Sequence, residues 1–327
     1  MSVPRVSIIM TTHDHERWVA AALQGALDQD WPDLEILVYD DASSDGTWPE
    51  IERSLAGARG ARRVVRHRQA ERVGPNRNFC AAVAASSGEW IVVADGDDVS
   101  EPSRVRRLVE AGGAADAGLV SSNATLIAAD GATQGLFLDR AGDRDFTLQE
   151  LAQHGWRKEM LGASFAFRRE LIDAFEPFDP LRLPSGVDHV LPVRAAILFP
   201  GAMRYLDEPL IRHRQHPGQL TQQVADASRS KLAFQEGHAG FDVTAAMQCL
   251  TDLKLAWQRR PDDTALRRAV EGCTGRVLAR VSEWTRLRNR LLDAGQRPTW
   301  TDGERMAAAP VGAVFTPKVA ADPGARD

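Results

Sequence analysis

Five apolar residues in a row, Trp90-Ile91-Val92-Val93-Ala94, follow a Gly88-Glu89 turn and run directly into Asp95-Gly96-Asp97-Asp98. A run of that length without polar alternation predicts a strand buried on both faces, the setting of a parallel sheet covered by helices. Three carboxylates then stand where the strand leaves the sheet, the edge at which open α/β sheets bind ligands. Like charges crowded there repel one another unless something compensates them. Two roles are open at this point. One is a solvated acidic turn capping the helix that starts near Glu101-Pro102. The other is a grip on a hard divalent cation, which prefers oxygen ligands and keeps positions open for substrate phosphates.

The chain before this strand repeats the same plan. Arg5 to Thr12 predicts a first strand, Glu16 to Asp28 a helix, and Leu34 to Tyr39 a second strand. A polar loop, Asp40 to Thr47, leads into a helix from Trp48 to about Leu55. A shorter strand over Arg62 to Arg68, the Gly74-Pro75-Asn76 turn and a helix from Arg77 to Ala85 follow. Alternating strands and helices predict a mostly parallel sheet with helices on both faces. Parallel strands share a carboxyl edge, so Thr11 to Asp14, Asp40 to Asp45 and Asp95 to Asp98 are expected on one rim. No Gly-x-Gly-x-x-Gly and no Gly-x-x-x-x-Gly-Lys-Ser/Thr is present. A bound nucleotide would therefore have its diphosphate neutralised by a cation, not by a glycine cradle.

Past Asp98 the pattern predicts a helix over Ser103 to Glu110 and short strands over Leu119 to Ser122 and Ala124 to Ile127. A helix capped by Thr147 runs to His154, and Gly162 to Phe167 reads as a strand. A short helix spans Arg168 to Phe175, another opens at Gly186-Val187-Asp188-His189 and runs through Ile197, and Leu206 to His213 is a strand. From Ala225 to Ala294 apolar residues recur at helical spacing, among dense arginines at 276, 280, 286, 288 and 290. From Gly295 onward periodicity is lost, and Ala307 to Asp327 reads as poorly ordered. The expected organisation is a domain over 1–222, with a nucleotide-binding half to about 100 and an acceptor half beyond it. A helical extension over 223–295 and a tail over 296–327 complete it.

The net charge of -5 argues against a coat for nucleic acid or an anionic bilayer. Three cysteines without metal-ligand spacing, Cys80, Cys249 and Cys273, fit buried thiols in a reducing compartment. The first residues do not read as a signal peptide, and no stretch has the length of a bilayer span. The expectation is a cytoplasmic protein. Contact with the inner face of a membrane through the arginine-rich helices, and a homodimer, stay open.

Several motifs in order resemble family 2 glycosyltransferases, which have the GT-A type α/β fold. Val6 to Asp14 is similar to that family's opening strand and its Thr-Tyr-Asn end, with His13 for the aromatic and Asp14 for Asn. Gln29-Asp30-Trp31 with Glu35 to Thr47 resembles the base and ribose segment, and Gly74 with Arg77-Asn78 the helix start that follows. Gly88 to Asp98 looks like the Asp-x-Asp segment, and Val187-Asp188 like a paired-acid motif with Val in place of one acid. His213 to His216 is similar to Tyr-Arg-x-His. The resemblance covers roughly Pro4 to Thr221.

It implies an inverting transferase with a UDP-, GDP- or dTDP-sugar donor and a glycan, lipid-linked or small-molecule acceptor. By this resemblance Thr11, His13, Asp14, Asp40, Asp41 and Arg77 bind the nucleotide sugar, together with Asp95 and Gly96. Asp97 and Asp95 hold Mg2+ or Mn2+, Arg214 and His216 help hold the diphosphate or the acceptor, and Asp188 is the general base. The role types suit the chemistry: a departing diphosphate needs charge neutralisation, and an acceptor hydroxyl needs a carboxylate to take its proton. Two other readings remain. A sugar-phosphate nucleotidyltransferase would carry a Gly-rich basic loop after the first strand, which Thr11 to Arg17 is not. A non-catalytic nucleotide-sugar-binding module would have no need of Asp95, Asp97 and Asp188 together.

Overall fold

The structure, a computed structural model, describes residues 3–56, 62–139, 142–155, 159–178, 187–219 and 231–295. The expected tail over 296–327 and the expected boundary at 222 lie outside the described residues. The first half runs β1 (Val6–Thr12), α1 (Val19–Leu27), β2 (Leu34–Asp40), α2 (Thr47–Ala56), β3 (Arg63–Arg68), α3 (Pro75–Ala85) and β4 (Trp90–Asp95). The second continues with β5 (Val99–Ser100), α4 (Arg104–Ala115), β6 (Leu119–Ala128), β7 (Thr133–Leu136), β8 (Arg144–Phe146) and α5 (Leu148–His154). Then come β9 (Ala166–Arg168), α6 (Glu170–Asp173), α7 (Leu191–Leu198), β10 (Met203–Gln215), α8 (Lys231–Arg259) and α9 (Thr264–Asp293).

One sheet carries the molecule, in the order β3-β2-β1-β4-β9-β6-β10-β5. The strands from β3 to β4 are parallel, as the sequence predicts, and β6 pairs parallel with β10. The short β9 runs antiparallel to both β4 and β6 and joins the two parallel blocks. The chain steps outward from β1 to β3 and then returns to place β4 on the other side of β1. That reversal puts a topological switch point between β1 and β4, where this class of sheet opens a crevice.

Side chains alternate across the sheet and bury two cores. Ile8, Met10, Ile36 and Val92 face α1, α2 and α4 through Leu23, Ile51 and Leu108. Ile9, Leu37 and Ile91 face the opposite layer, where α3, α5 and α7 contribute Phe79, Leu151 and Val193. Helices α8 and α9 share this second core through Cys249, Leu253, Ala269 and Cys273. A fully buried ion pair ties α7 to α8: Arg194 Nε donates to Asp252 Oδ2 at 2.7 Å, and the guanidinium lies 4.2 Å from the Phe178 ring centroid. Among the described residues no helix is long and apolar enough to cross a membrane.

Some expected elements differ in detail. The two short strands after Gly118 are one strand, β6, because Asn123 is paired inside it: Oδ1 accepts from Leu138 N at 3.0 Å and Nδ2 donates to Leu138 O at 2.8 Å. The expected strand at Gly162 starts with a 3-10 turn over Gly162–Ser164. The expected helix at 186–197 begins as a separate 3-10 turn, Val187–His189, and α7 starts only at Leu191, with Pro192 in its first turn, where its missing N–H is not needed.

Candidate functional site

At the switch point the ends of β1 and β4 lie side by side. Thr11 pairs with Asp95 across the two strands, and its Oγ1 donates to Asp95 Oδ1 at 3.2 Å. The chain then turns tightly, with Gly96 N donating to Thr11 O at 3.0 Å. A Cβ at Gly96 would lie 2.6 Å from Thr12 Cγ2 and 2.8 Å from His15 Nδ1, so only glycine lets the acidic turn lie this close to β1.

The far end of β10 closes over the same turn. Asp98 accepts from Arg214 N at 2.8 Å and from His213 Nδ1 at 2.9 Å. Arg214 Nε donates to Asp97 O at 2.8 Å, and its Nη1 reaches the carbonyls of Ala128 and Ala129 at 3.2 Å. His216 Nδ1 accepts from Gly218 N at 3.1 Å, so Nε2 carries the proton that it donates to Asp97 Oδ2 at 2.9 Å. Trp18 covers that imidazole with ring centroids 4.0 Å apart. Asp97 and Asp98 are 7% and 4% exposed, which rules out the solvated acidic turn.

Burial and crowding set the charges. Burial, and then Asp97 and Asp98, push the Asp95 carboxyl up to about 7. Burial also raises Asp98, despite its bond with His213. Asp97 goes the other way: burial pushes it up, but the His216 hydrogen bond and the fields of His15 and His216 more than reverse this. Beneath the turn lies Arg104, 1% exposed, which donates to Val93 O at 2.8 Å and Ala163 O at 2.7 Å. Burial lowers its guanidinium to about 10, against the pull of Asp98 and Asp95. His15, with Nε2 3.8 Å from Asp97 Oδ2, is lowered by burial, and its buried Nδ1 has no hydrogen-bond partner among the described residues.

The neighbouring loops hold the remaining nucleotide-site candidates. Asp40 is fully buried, and its carboxylate accepts from Thr12 Oγ1 and Ser43 N, both at 3.0 Å. Asp41 accepts from Val73 N at 2.7 Å and Gly74 N at 3.0 Å, fastening the α3 loop to the end of β2. Both carboxylates shape the loops. His13 Nδ1 meets Asp41 O at 2.9 Å, and Asp14 Oδ1 accepts from Ser44 N at 2.8 Å. Asp14 at φ 55° and Ala42 at φ 51° are non-glycine residues in the left-handed region, one on each loop. Arg77 stands exposed in the first turn of α3.

Asp188 comes from a later part of the chain and meets the turn that leads into β9. Its carboxylate lies against Gly162: a Cβ there would sit 2.8 Å from Asp188 Oδ2. The Gly162 turn abuts β4, with Val93 N donating to Phe165 O at 2.9 Å two residues before Asp95. Sequence reasoning missed His15 and Arg104. The spacing His13-x-His15 at a polar strand end was visible, but a single arginine in an amphipathic helix gives no sign that it will be buried. Among the described residues no three His, Cys, Asp or Glu side chains are arranged to hold a metal ion by themselves.

Comparison with known proteins bears on the fold and the family. The Staphylococcus aureus protein TarS, residues 1–349 in complex with UDP, superposes with a TM-score of 0.54 at 15% identity, over 89% of this chain and 92% of that one. At that identity the likeness establishes the GT-A type fold alone. An uncharacterized glycosyltransferase of Nostoc is 26% identical over 247 residues, 73% of this chain and 73% of the relative. The succinoglycan biosynthesis protein ExoO of Rhizobium meliloti is 30% identical over 135 residues, 41% of this chain and 37% of that protein. The sequence profile of glycosyl transferase family 2 matches residues 7–175, more than half of the chain. With a profile of that extent laid over the strands and loops around the acidic turn, the chain belongs to glycosyl transferase family 2 and is a glycosyltransferase.

Proposed function

We propose that this enzyme transfers a sugar from a nucleoside-diphosphate sugar to an acceptor hydroxyl with inversion, using Asp188 as general base. The observation that carries the proposal is the placement of Asp188 against Gly162, on the turn bonded to the strand that ends at Asp95, two residues before Asp97. One carboxylate separate from the Asp95–Asp98 group suits a single displacement. The acceptor oxygen bonds to the anomeric carbon as the bond from that carbon to the diphosphate oxygen breaks. Asp188 takes the hydroxyl proton, and the diphosphate leaves from the opposite face of the sugar.

The donor set fits a hard divalent cation, Mg2+ or Mn2+. Asp95 and Asp97 offer oxygen ligands, and Asp95 Oδ2 carries no hydrogen bond among the described residues. Two carboxylates leave coordination positions for the diphosphate. When bound, such an ion supplies the positive charge that a leaving diphosphate requires. His216 orients Asp97, and Thr11 orients Asp95. Thr11, His13, Asp14, Gly96 and Arg77 line or border the donor side, while Asp40, Asp41 and Arg214 hold its walls through their backbone bonds.

A nucleotide-sugar donor is supported by the fold shared with TarS, which has been solved with UDP and with UDP-GlcNAc. A place in polysaccharide or glycoconjugate synthesis is supported by the similarity to ExoO. The test starts with a thermal-shift panel of UDP, GDP and dTDP, each with and without Mn2+. The nucleotide selected is then supplied as its sugar conjugate, and release of nucleoside diphosphate is followed. Asp188→Asn should nearly abolish release while donor binding stays intact; unchanged turnover removes the assignment.

A further inference from the structure

We propose that His189 is a positioning residue through which the C-terminal helices hold the Asp188 carboxylate in place. The inference rests on the reading of Asp188 as the base and extends the active site to α8 and α9.

Asp188 and His189 are neighbours in the 3-10 turn Val187–His189. Asp188 packs on Gly162 beside β4. His189 turns into the helical layer, with its side chain 17% exposed. Its ring meets Phe241 of α8 edge-on at 4.8 Å, and Nδ1 lies 3.8 Å from Asp242 Oδ1. Its carbonyl accepts from Cys249 Sγ at 3.7 Å, one further contact from α8. Asp242 is held in turn by Arg280 of α9 at 3.7 Å. These anchors all come from the two C-terminal helices. A three-residue turn has little internal rigidity, so the direction of Asp188 depends on what grips its neighbour. A catalytic carboxylate that drifts by on the order of 1 Å loses much of its rate without losing substrate affinity, because donor contacts lie elsewhere.

The experiment compares His189→Ala, Asp242→Asn, Asp188→Asn and the double variant Asp188→Asn/His189→Ala. Each is assayed for release of nucleoside diphosphate from the sugar nucleotide selected by the panel, with water as acceptor. His189→Ala should lower kcat about 10-fold or more with the donor KM unchanged, and Asp242→Asn should lower it less. The double variant should be no slower than Asp188→Asn alone, since a residue that acts through Asp188 has nothing to add once the base is gone. An inactive Asp188→Asn beside fully active His189→Ala and Asp242→Asn overturns this inference and leaves the base assignment standing. A fully active Asp188→Asn refutes the base assignment, and the inference with it. A donor KM that rises in step with the loss of kcat also overturns it, as does an additive double variant. Should His189→Ala not fold, Asp242→Asn, which keeps the side-chain volume, decides the question by the same readouts.

Discussion

Gly162→Ala tests the geometry on which the mechanism depends. Gly162 is absent from the residues with positive φ, so its backbone accepts alanine without strain. The new methyl would lie 2.8 Å from Asp188 Oδ2, 3.0 Å from its Cβ and 3.1 Å from its Cγ, against an ordinary contact of 3.4–4 Å. Three atoms of one short side chain are too close, so a rotation of the carboxylate alone does not relieve the overlap. Asp188 must withdraw as a unit, by roughly half an ångström or more. Misplacement on the order of 1 Å at a reacting group can cost about 10²-fold. Each factor of ten is about 1.4 kcal/mol of barrier. The expected result is a kcat lower by about 10- to 100-fold in the diphosphate-release assay, with donor Kd by calorimetry within about 2-fold of the parent. The melting temperature should stay close to that of the parent. A Gly162→Ala enzyme with full kcat would refute the claim that Asp188 acts from this position. A parallel loss of donor affinity would show that the turn belongs to the donor site.

Three further outcomes are expected. Gly96→Ala should do the reverse of Gly162→Ala: its Cβ would collide with Thr12 and His15 and push the Asp97 turn off β1, so calorimetry should show weaker Mn2+-dependent nucleotide binding. The Asp95 carboxyl titrates near 7 in the fold against 3.8 in the free residue, so between about pH 4 and about pH 7 the native state holds a proton that the unfolded chain has lost. Stability of the metal-free protein should therefore fall as pH rises through that window; Asp95→Asn should flatten the dependence, as read from melting temperatures. Asp252→Ala leaves Arg194 as an unpaired charge where both partners are 0% exposed, and should cost about 3–5 kcal/mol in denaturant unfolding, whereas replacing both with well-packed apolar residues should cost far less.

The parallel strands from β1 to β4 were legible in the sequence because each is a local apolar run with its turn signals beside it. The short strands were not. β5, β7 and β8 span two to four residues, too few for a period to register, and exist only through their pairing with β6 and β10. The candidate residues divide in the same way. Asp95, Asp97 and Asp188 stand out as residue types at strand and helix ends. Which polar groups are left to meet a ligand is another matter, since the carboxylates of Asp40 and Asp41 turn out to be occupied by loop N–H groups and a threonine hydroxyl.

The amino-acid sequence by itself determined the α/β class, the shared rim of the first strands and the family, because hydrophobic periodicity and turn chemistry act over a few residues. Tertiary structure alone decided that His216 meets Asp97 across 119 positions, that Arg104 lies buried under the acidic turn, and that Asp188 leans on Gly162. His216 lies 119 positions from Asp97, and Arg104 is held by Ala163 O 59 positions away, so local sequence does not encode these contacts: they form only when β10 and the Gly162 turn pack against the end of β4.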